Sequence, residues 1–98
     1  MKFVQIIEFK TSDIDGVNRV LDEFLEKTEG VRTSTRAQVT QDRDNDGTYL
    51  NIVEFPSYDA AMENSNRPET AEVAAQLAAL CDGPPIFRNL DVLRDQDM

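Results

Sequence analysis

The first apolar segment, FVQIIEF at residues 3–9, has the β-branched and aromatic composition of a β-strand and is followed by the polar segment KTSD. Apolar side chains occupy odd positions (Phe3, Ile7) as well as even positions (Val4, Ile6). Because successive side chains of a strand point to opposite faces, both faces of this strand are largely apolar. A strand with one face in water carries polar residues on that face, so we predict that this strand is covered on both faces.

An amphipathic helix is predicted after this strand. Its apolar residues recur at steps of three and four, which is the spacing of one helix face. They are Ile14, Val17, Leu21, Phe24 and Leu25. Ser12 followed three residues later by Asp15 resembles a capping box and predicts the first turn of the helix. Gly30 lies where a left-handed C-terminal cap is expected.

Two further strands are predicted in the middle of the chain. Residues 31–40, VRTSTRAQVT, are rich in valine and threonine. Residues 48–55, TYLNIVEF, again carry apolar side chains on both faces. The second of these strands therefore resembles the first strand of the chain in needing cover on both sides.

The segment between these strands, QDRDNDG at residues 41–47, has three alternate aspartates followed by Gly47. An EF-hand calcium loop begins in this way, but it needs a glutamate at its twelfth position and a helix on each side. Val53 occupies that position here, and both flanks are predicted strands. We interpret the segment as a hairpin loop in which Gly47 has a positive φ, with weak surface calcium binding as the alternative.

The last third of the chain predicts two helical pieces and a strand. Ser57 can cap a short helix through Met62, which NSNRP at residues 64–68 interrupts, because a residue before proline disfavours the helical conformation. A second helix is predicted from Pro68 through ETAEVAAQLAALC, since proline suits the first turn. The sequence GPP ends it. The segment IFRNLDVL at residues 86–93 predicts the fourth strand.

The resulting order, β-α-β-β-α-β, is that of the ferredoxin-like fold, an α+β architecture with a four-stranded antiparallel sheet and helices on one face. The length of 98 residues is typical of one domain, so we expect a single domain over residues 1–98. The helices leave the second apolar face of the sheet uncovered. The most economical cover for that face is the same face of a second copy, in a two-fold homodimer.

Charge and composition narrow the classes of partner. The chain carries 19 acidic and 10 basic residues, a formal net charge of −9. This charge disfavours binding to nucleic acid or to anionic membranes. No apolar run approaches the roughly 20 residues of a membrane-spanning helix, and the N-terminal segment is predicted to be a strand, not a signal peptide. The single cysteine, Cys81, excludes an intrachain disulfide and favours the cytoplasm.

The sequence contains no histidine and no tryptophan. A Ser-His-Asp set, a Cys-His pair and a histidine-containing metal site are therefore excluded, and no phosphate-binding loop is present. We expect neither a metal ion nor a bound cofactor.

Three features together resemble the dimeric α/β-barrel superfamily, and within it the small antibiotic-biosynthesis-monooxygenase-like proteins. They are the β-α-β-β-α-β order, the stretch EFPSYDAAMENS and the closing segment PIFRNLDVL. In that group a strand ends in an aromatic residue and a serine then caps a short helix, as Phe55 and Ser57 do here. The resemblance implies a homodimer whose sheets face each other, with a cleft between sheet and helices in each subunit.

The superfamily includes cofactor-independent oxygenases that act on polyketide quinols, and haem-degrading enzymes that use a histidine and a tryptophan, which this chain lacks. A cofactor-free oxygenase must hold and deprotonate a phenolic substrate, which then reacts with oxygen itself. In a catalytic set, Glu8 is the candidate general base, and Tyr49 and Asn51 are candidates to hydrogen-bond the substrate. The candidate substrate-binding residues are Arg36, Asn64 and Arg88, the two arginines for an anionic group.

Each candidate also has a structural interpretation. Glu8 suits an ion pair on a strand, and Arg36 and Arg88 suit ion pairs at a dimer interface. Tyr49 suits packing with its hydroxyl at an edge, and Asn64 suits a helix cap. Two functions therefore remain open: a monooxygenase-like enzyme acting on a small aromatic or polyketide substrate, and a non-catalytic ligand-binding or assembly module with the same homodimeric fold.

Overall fold

The secondary-structure elements of the computed structural model, which describes residues 1–98, follow the predicted order along the chain. The strands are β1 (Phe3–Lys10), β2 (Arg36–Gln41), β3 (Thr48–Phe55) and β4 (Ile86–Asp91). The helices are α1 (Ile14–Lys27), α2 (Tyr58–Ser65) and α3 (Pro68–Leu80). The break between α2 and α3 falls within the predicted NSNRP segment, and Pro68 begins α3 as expected. None of the three helices is long and apolar enough to cross a membrane.

The four strands form one antiparallel sheet in the order β2-β3-β1-β4. Ile6 of β1 lies opposite Ile52 of β3 on one side and Arg88 of β4 on the other. The predicted ferredoxin-like α+β fold is confirmed. β1 and β3 are central strands, which explains why their sequences are apolar on both faces.

The strand register decides which apolar set faces the helices. The odd-numbered side chains of β1 and β3 lie under the helices, and Phe3 and Phe55 there are only 2% and 3% exposed. These two rings pack with Ala61 of α2 in the buried core, and Tyr58 meets Phe3 edge-on with ring centroids 5.5 Å apart. The even-numbered side chains, such as Ile52, lie on the other side, which no element of the chain covers. We call these surfaces the helix-side face and the open face.

The start of α1 differs from the prediction by one residue. Asp13, not Ser12, is the N-cap, and its carboxylate accepts a hydrogen bond of 2.9 Å from the backbone N–H of Gly16. A Cβ at residue 16 would collide with the Asp13 carboxylate in its capping position, so glycine leaves room for this cap. The cap is oriented by Thr11, whose buried hydroxyl accepts from the Asp13 N–H at 3.0 Å and donates to the carbonyl of Leu80 at 2.6 Å.

The second strand is shorter than predicted, since β2 begins at Arg36 and not at residue 31. The backbone N–H groups of Val31 and Arg32 both donate to the carbonyl of Thr28, so these residues continue the turn that ends α1. Gly30 has the expected positive φ, +81°, but the C-cap of α1 is Thr28, so the glycine lies two residues beyond the cap in this turn. β4 ends at Asp91 and not at residue 93.

The acidic segment is the hairpin loop between β2 and β3, as the preferred interpretation held. Asp42 closes it, because its N–H donates to the carbonyl of Thr48 at 2.9 Å. The Asp42 carboxylate accepts from the side-chain amide of Asn45 and from the N–H of Asp44, both at 2.9 Å, and these bonds lower the pKa of this carboxyl. Gly47 has a φ of +79°. The structure contains no group of three or more metal-ligating side chains.

Candidate functional site

A cavity of about 250 Å³ lies between the helix-side face of the sheet and the helices α1 and α3. Its floor is formed by side chains from three strands: Gln5, Ile7, Phe9, Asn51 and Phe87. Its roof includes Val17 and Leu21 of α1 and Val73 and Leu77 of α3. The lining is mostly apolar, which is typical of small-molecule sites.

The cavity exists because α3 presents small side chains over part of the sheet. Ala74 and Ala78, one helical turn apart, both line the cavity. Larger residues at these positions would reduce the volume of the cavity that Ile7 and Phe87 also line. An apolar cavity of about 150 Å³ takes up benzene. The larger cavity of this protein therefore has room for an aromatic ligand bigger than a single ring.

The polar groups of the lining are few and uncharged. They are Gln5, Asn51, Ser65 and Thr70, and no carboxylate or basic side chain reaches the cavity. The Gln5 amide donates to Asn89 at 3.1 Å, and the Thr70 hydroxyl donates to the backbone carbonyl of Asn64 at 2.6 Å. The side-chain oxygen of Asn51 is buried and has no hydrogen-bond partner. It is therefore an unpaired acceptor in the wall of the cavity, covered by neighbouring atoms.

The only titratable group of the lining is the thiol of Cys81, which follows the last residue of α3. Burial, together with the nearby Asp82 carboxylate, raises the pKa of this thiol above its usual value. The thiol is therefore protonated at neutral pH and is a poor general base or nucleophile. The cavity is an uncharged chamber with one unused acceptor.

Neither a protein-family model nor a curated protein matches the sequence. Solved structures do match the fold. A candidate antibiotic biosynthesis monooxygenase from Caulobacter crescentus superposes with a TM-score of 0.81 at 16% identity, covering 95% of this chain and 91% of that one. SnoaB, a cofactor-independent oxygenase from Streptomyces nogalater, gives 0.80 at 17% identity, covering 96% and 95%. A conserved protein from Methanosarcina mazei gives 0.79 at 10% identity, covering 92% and 91%.

The chain has the fold of the antibiotic-biosynthesis-monooxygenase-like proteins. Identities of this size establish the architecture and leave the chemistry to the residues of the cavity. The resemblance inferred from the stretch EFPSYDAAMENS is confirmed at the level of the fold, and its details hold. Phe55 ends β3, and the hydroxyl of Ser57 accepts from the Ala60 N–H at 3.1 Å as the cap of α2.

Within this monooxygenase-like fold, the predicted site residues separate into two groups. Asn51 lines the cavity. Tyr49 does not line it, but its ring stacks on that of the lining residue Phe9, with the ring centroids 5.7 Å apart. Asn64, at the end of α2, is 9% exposed and lies next to the lining residue Ser65. The side-chain oxygen of Asn64 is also buried without a partner. These three residues are on the helix side of the sheet.

The other three candidates lie on the open face, away from the cavity. Glu8 and Arg88 form an ion pair with 3.4 Å between Oε1 and Nη1, so they satisfy each other. Arg36 lies opposite Glu54 in the β2–β3 register. The structure thus brings Glu8 and Arg88 together, but it separates both of them and Arg36 from Asn51 by the thickness of the sheet.

Sequence reasoning missed the cavity residues Gln5, Thr70, Ala74, Ala78 and Phe87. A signal for some of them was present. Gln5 is the polar residue on the odd face of β1 in the sequence FVQIIEF, and Ala74 and Ala78 share one face of α3. The sequence pattern did not show which face of the sheet meets the helices, because both faces of the central strands are apolar.

Proposed function

We propose that the protein is a cofactor-independent, monooxygenase-like protein that binds a small neutral aromatic or polyketide substrate in the cavity. The observation that carries this proposal is the uncharged, mostly apolar cavity of about 250 Å³, which has the unpaired side-chain oxygen of Asn51 buried in its wall. A buried acceptor without a partner costs free energy. A phenolic hydroxyl that donates to it recovers that cost, while the ring of the ligand is covered by apolar side chains.

The chemistry follows from the same environment. A hydroquinone or phenol held by Asn51 keeps its hydroxyl next to a lone pair, which strengthens electron donation from the ring. The electron-rich substrate then reduces molecular oxygen itself. One oxygen atom enters the substrate and the other leaves as water. The protein orients the ring and covers most of it with apolar side chains.

No carboxylate in the cavity can act as the general base, since Glu8 faces the other side of the sheet and is paired with Arg88. Water must therefore accept the proton when the substrate ionises. The rate is expected to rise with pH until the substrate phenol is ionised, without a lower limb from an enzyme carboxylate. A bell-shaped profile with an acidic limb near pH 4–5, where carboxylates titrate, would contradict this account.

The test uses 1,4-dihydroxynaphthalene as substrate, with oxygen uptake measured above its rate of autoxidation. We expect the wild-type protein to accelerate uptake and to melt at a higher temperature in the presence of the compound. Asn51→Leu removes the acceptor and should lower the enzymatic rate by about tenfold, the value of one hydrogen bond.

The control variant is Asn18→Leu, an exposed asparagine of α1 that does not line the cavity. It should leave both the rate and the ligand-induced stabilisation unchanged. The proposal fails if the wild-type protein neither accelerates oxygen uptake nor gains stability with the compound. It also fails if Asn51→Leu and Asn18→Leu behave alike.

The second candidate is a non-catalytic module that binds the same class of ligand. The absence of an ionisable group other than the Cys81 thiol in the cavity favours it. The two functions differ in one measurement. A binding module gains thermal stability with 1,4-dihydroxynaphthalene but consumes oxygen no faster than the free compound does.

We also propose that the protein is a homodimer through its open face. The open face carries a continuous aliphatic patch made of Val4, Ile6, Leu50, Ile52 and Leu90. Charged residues border this patch, among them the pair of Glu8 and Arg88 and, on the opposite edge strand β2, Arg36 beside Glu54. A self-complementary aliphatic patch with a charged rim suits a two-fold interface. This arrangement gives the three open-face candidates an interfacial role and leaves Asn51 and Asn64 to the cavity.

The proposal includes no nucleic-acid or membrane partner, because a net charge of −9 disfavours binding to both. The free thiol of Cys81, the one cysteine of the chain, supports a cytoplasmic location.

A further inference from the structure

The residues that line the cavity differ in how far they are exposed to solvent. Those of α1 and of the central strands are buried or half-buried. The exposed ones belong to the second half of the chain, and they include Ala74 and Ala78 of α3 and Phe87 of β4. Phe87 is 55% exposed although its ring contributes to the cavity. The cavity therefore opens to solvent between α3 and the edge strand β4.

The strand register gives the direction from this opening to the interior. Phe87 lies opposite Ile7, and Ile7 lies opposite Asn51, so the three side chains form one row across the helix-side face. Neighbouring strands are about 4.8 Å apart, which puts Asn51 roughly 10 Å from Phe87 across the sheet. The free acceptor is at the inner end of the row and the phenyl ring is at the opening.

We propose that Phe87, Ala74 and Ala78 form the entrance of the cavity and select flat aromatic ligands by its width. The two alanines leave a slot above the Phe87 ring that admits a planar ring system and excludes bulky aliphatic groups. A ligand of two fused rings that lies over Ile7 reaches Asn51 with a hydroxyl at one end and stacks against Phe87 at the other. This inference rests on the ligand-binding role proposed for the cavity and adds the route and the selectivity.

The chain carries its own reporter for this entrance. Cys81 is the only cysteine, and its half-buried thiol lines the same cavity. Because the thiol is half-buried beside the cavity at the end of α3, the rate at which a neutral aromatic thiol reagent modifies it reports how open this end of the cavity is. The rate of modification by 4,4′-dithiodipyridine therefore measures access, and it requires neither turnover nor a known substrate.

Three variants make the test. Ala78→Leu narrows the slot and should slow modification of Cys81 roughly tenfold or more, because the larger side chain occupies part of the cavity that Ala78 lines. Ala75→Leu is the matched control: Ala75 is an exposed alanine of the same helix that does not line the cavity. As a surface change it should alter the rate by no more than about twofold. Phe87→Ala widens the opening and should speed modification.

A further measurement ties the entrance to ligand binding. Saturating 2-naphthol should protect Cys81 in the wild-type protein and in Ala75→Leu, and should protect it much less in Ala78→Leu. Melting curves of each variant identify any loss of rate that comes from a changed fold. The inference is overturned if Ala78→Leu is modified as fast as the wild type, if Ala75→Leu slows the reaction equally, or if 2-naphthol gives no protection.

This outcome is separate from that of the oxygenase proposal. If the labelling pattern is as expected but the protein takes up no oxygen with 1,4-dihydroxynaphthalene, the entrance proposal stands and the oxygenase proposal fails. If the protein takes up oxygen but Cys81 is modified at the same rate in all variants, the oxygenase proposal stands and the entrance proposal fails.

Discussion

The two faces of the sheet carry different kinds of apolar side chain. All five aromatic residues of the strands lie on the helix-side face: Phe3, Phe9, Tyr49, Phe55 and Phe87. The apolar residues of the open face are aliphatic, such as Ile6 and Ile52. Aromatic rings are large and rigid, so they bury a large area where helices cover them. The cavity lies between this face of the sheet and the small alanine side chains of α3. Branched aliphatic side chains suit a pleated strand surface that the single chain leaves partly exposed.

The largest effect expected from this contrast is on stability. Phe55→Ala removes a ring that is 3% exposed and packs against Phe3 and Ala61, so it should lower the free energy of unfolding by about 3–5 kcal/mol. Ile52→Ala, three residues away on the open face, should cost less than about 2 kcal/mol, because a single chain leaves this side chain partly exposed. Urea denaturation at low protein concentration measures both. Equal losses would remove the energetic difference between the faces.

The second effect concerns assembly. Ile52→Asp puts a charge at the centre of the aliphatic patch, and burying an unpaired carboxylate in an interface costs several kcal/mol. We expect sedimentation velocity to give about twice the 11.1 kDa mass of one chain for the wild type, and the mass of one chain for the variant. Gln41→Asp adds the same charge at an exposed helix-side position of β2 and should stay dimeric. A wild-type protein that sediments as a single chain at micromolar concentration would contradict the proposed dimer.

The smallest effect lies at the rim of the open face. The Lys2 ammonium is 2.7 Å from Asp95 and 3.4 Å from Glu54, and it lowers the pKa of the Asp95 carboxyl. A carboxyl with a lowered folded-state pKa stabilises the fold above its unfolded pKa, near 4, and loses that contribution as the pH falls through the folded value. Both groups are exposed, so the change in melting temperature should be small.

Carboxyl NMR titration tests this pair directly. Lys2→Met should return the pKa of Asp95 towards its usual value. Lys27→Met, which removes a lysine paired with Glu72 across α1 and α3, should leave the Asp95 titration unchanged. An Asp95 titration that is the same in Lys2→Met and in the wild type would mean that the contact does not persist in solution.

The elements that the sequence predicted well are those whose signals are local. The apolar stripe of α1, the Ser57 cap and Pro68 at the start of α3 each depend on residues within one or two turns. The errors arose where distant contacts decide. Ser12 was expected to cap α1, but Asp13 is the cap. The Thr11 hydroxyl, which is held by its hydrogen bond to Leu80 far along the chain, accepts from the Asp13 N–H and orients that residue.

The candidate site was predictable only in part, for the same reason. Asn51 was identified as a polar residue on a central strand, but Glu8, Arg36 and Arg88 were assigned to the cleft without knowledge of the face they occupy. On strands that are apolar on both faces, alternation separates two sets of residues but does not say which set meets the helices.

The hydroxyl of Thr33, which donates to the carbonyl of Ala60 at 2.6 Å, is one of the long-range contacts that tie the segment before β2 to α2.

Periodicity along the chain was enough to define the β-α-β-β-α-β order, the acidic hairpin and an apolar surface that needs a second cover, because each of these depends on neighbouring residues. The tertiary structure alone decided that the aromatic set lies under the helices, that Asn51 is left with an unpaired acceptor, and that Ala78 and Phe87 line the same cavity. These features join residues that are tens of positions apart, and their geometry exists only after β4 pairs with β1 and α3 packs against α1.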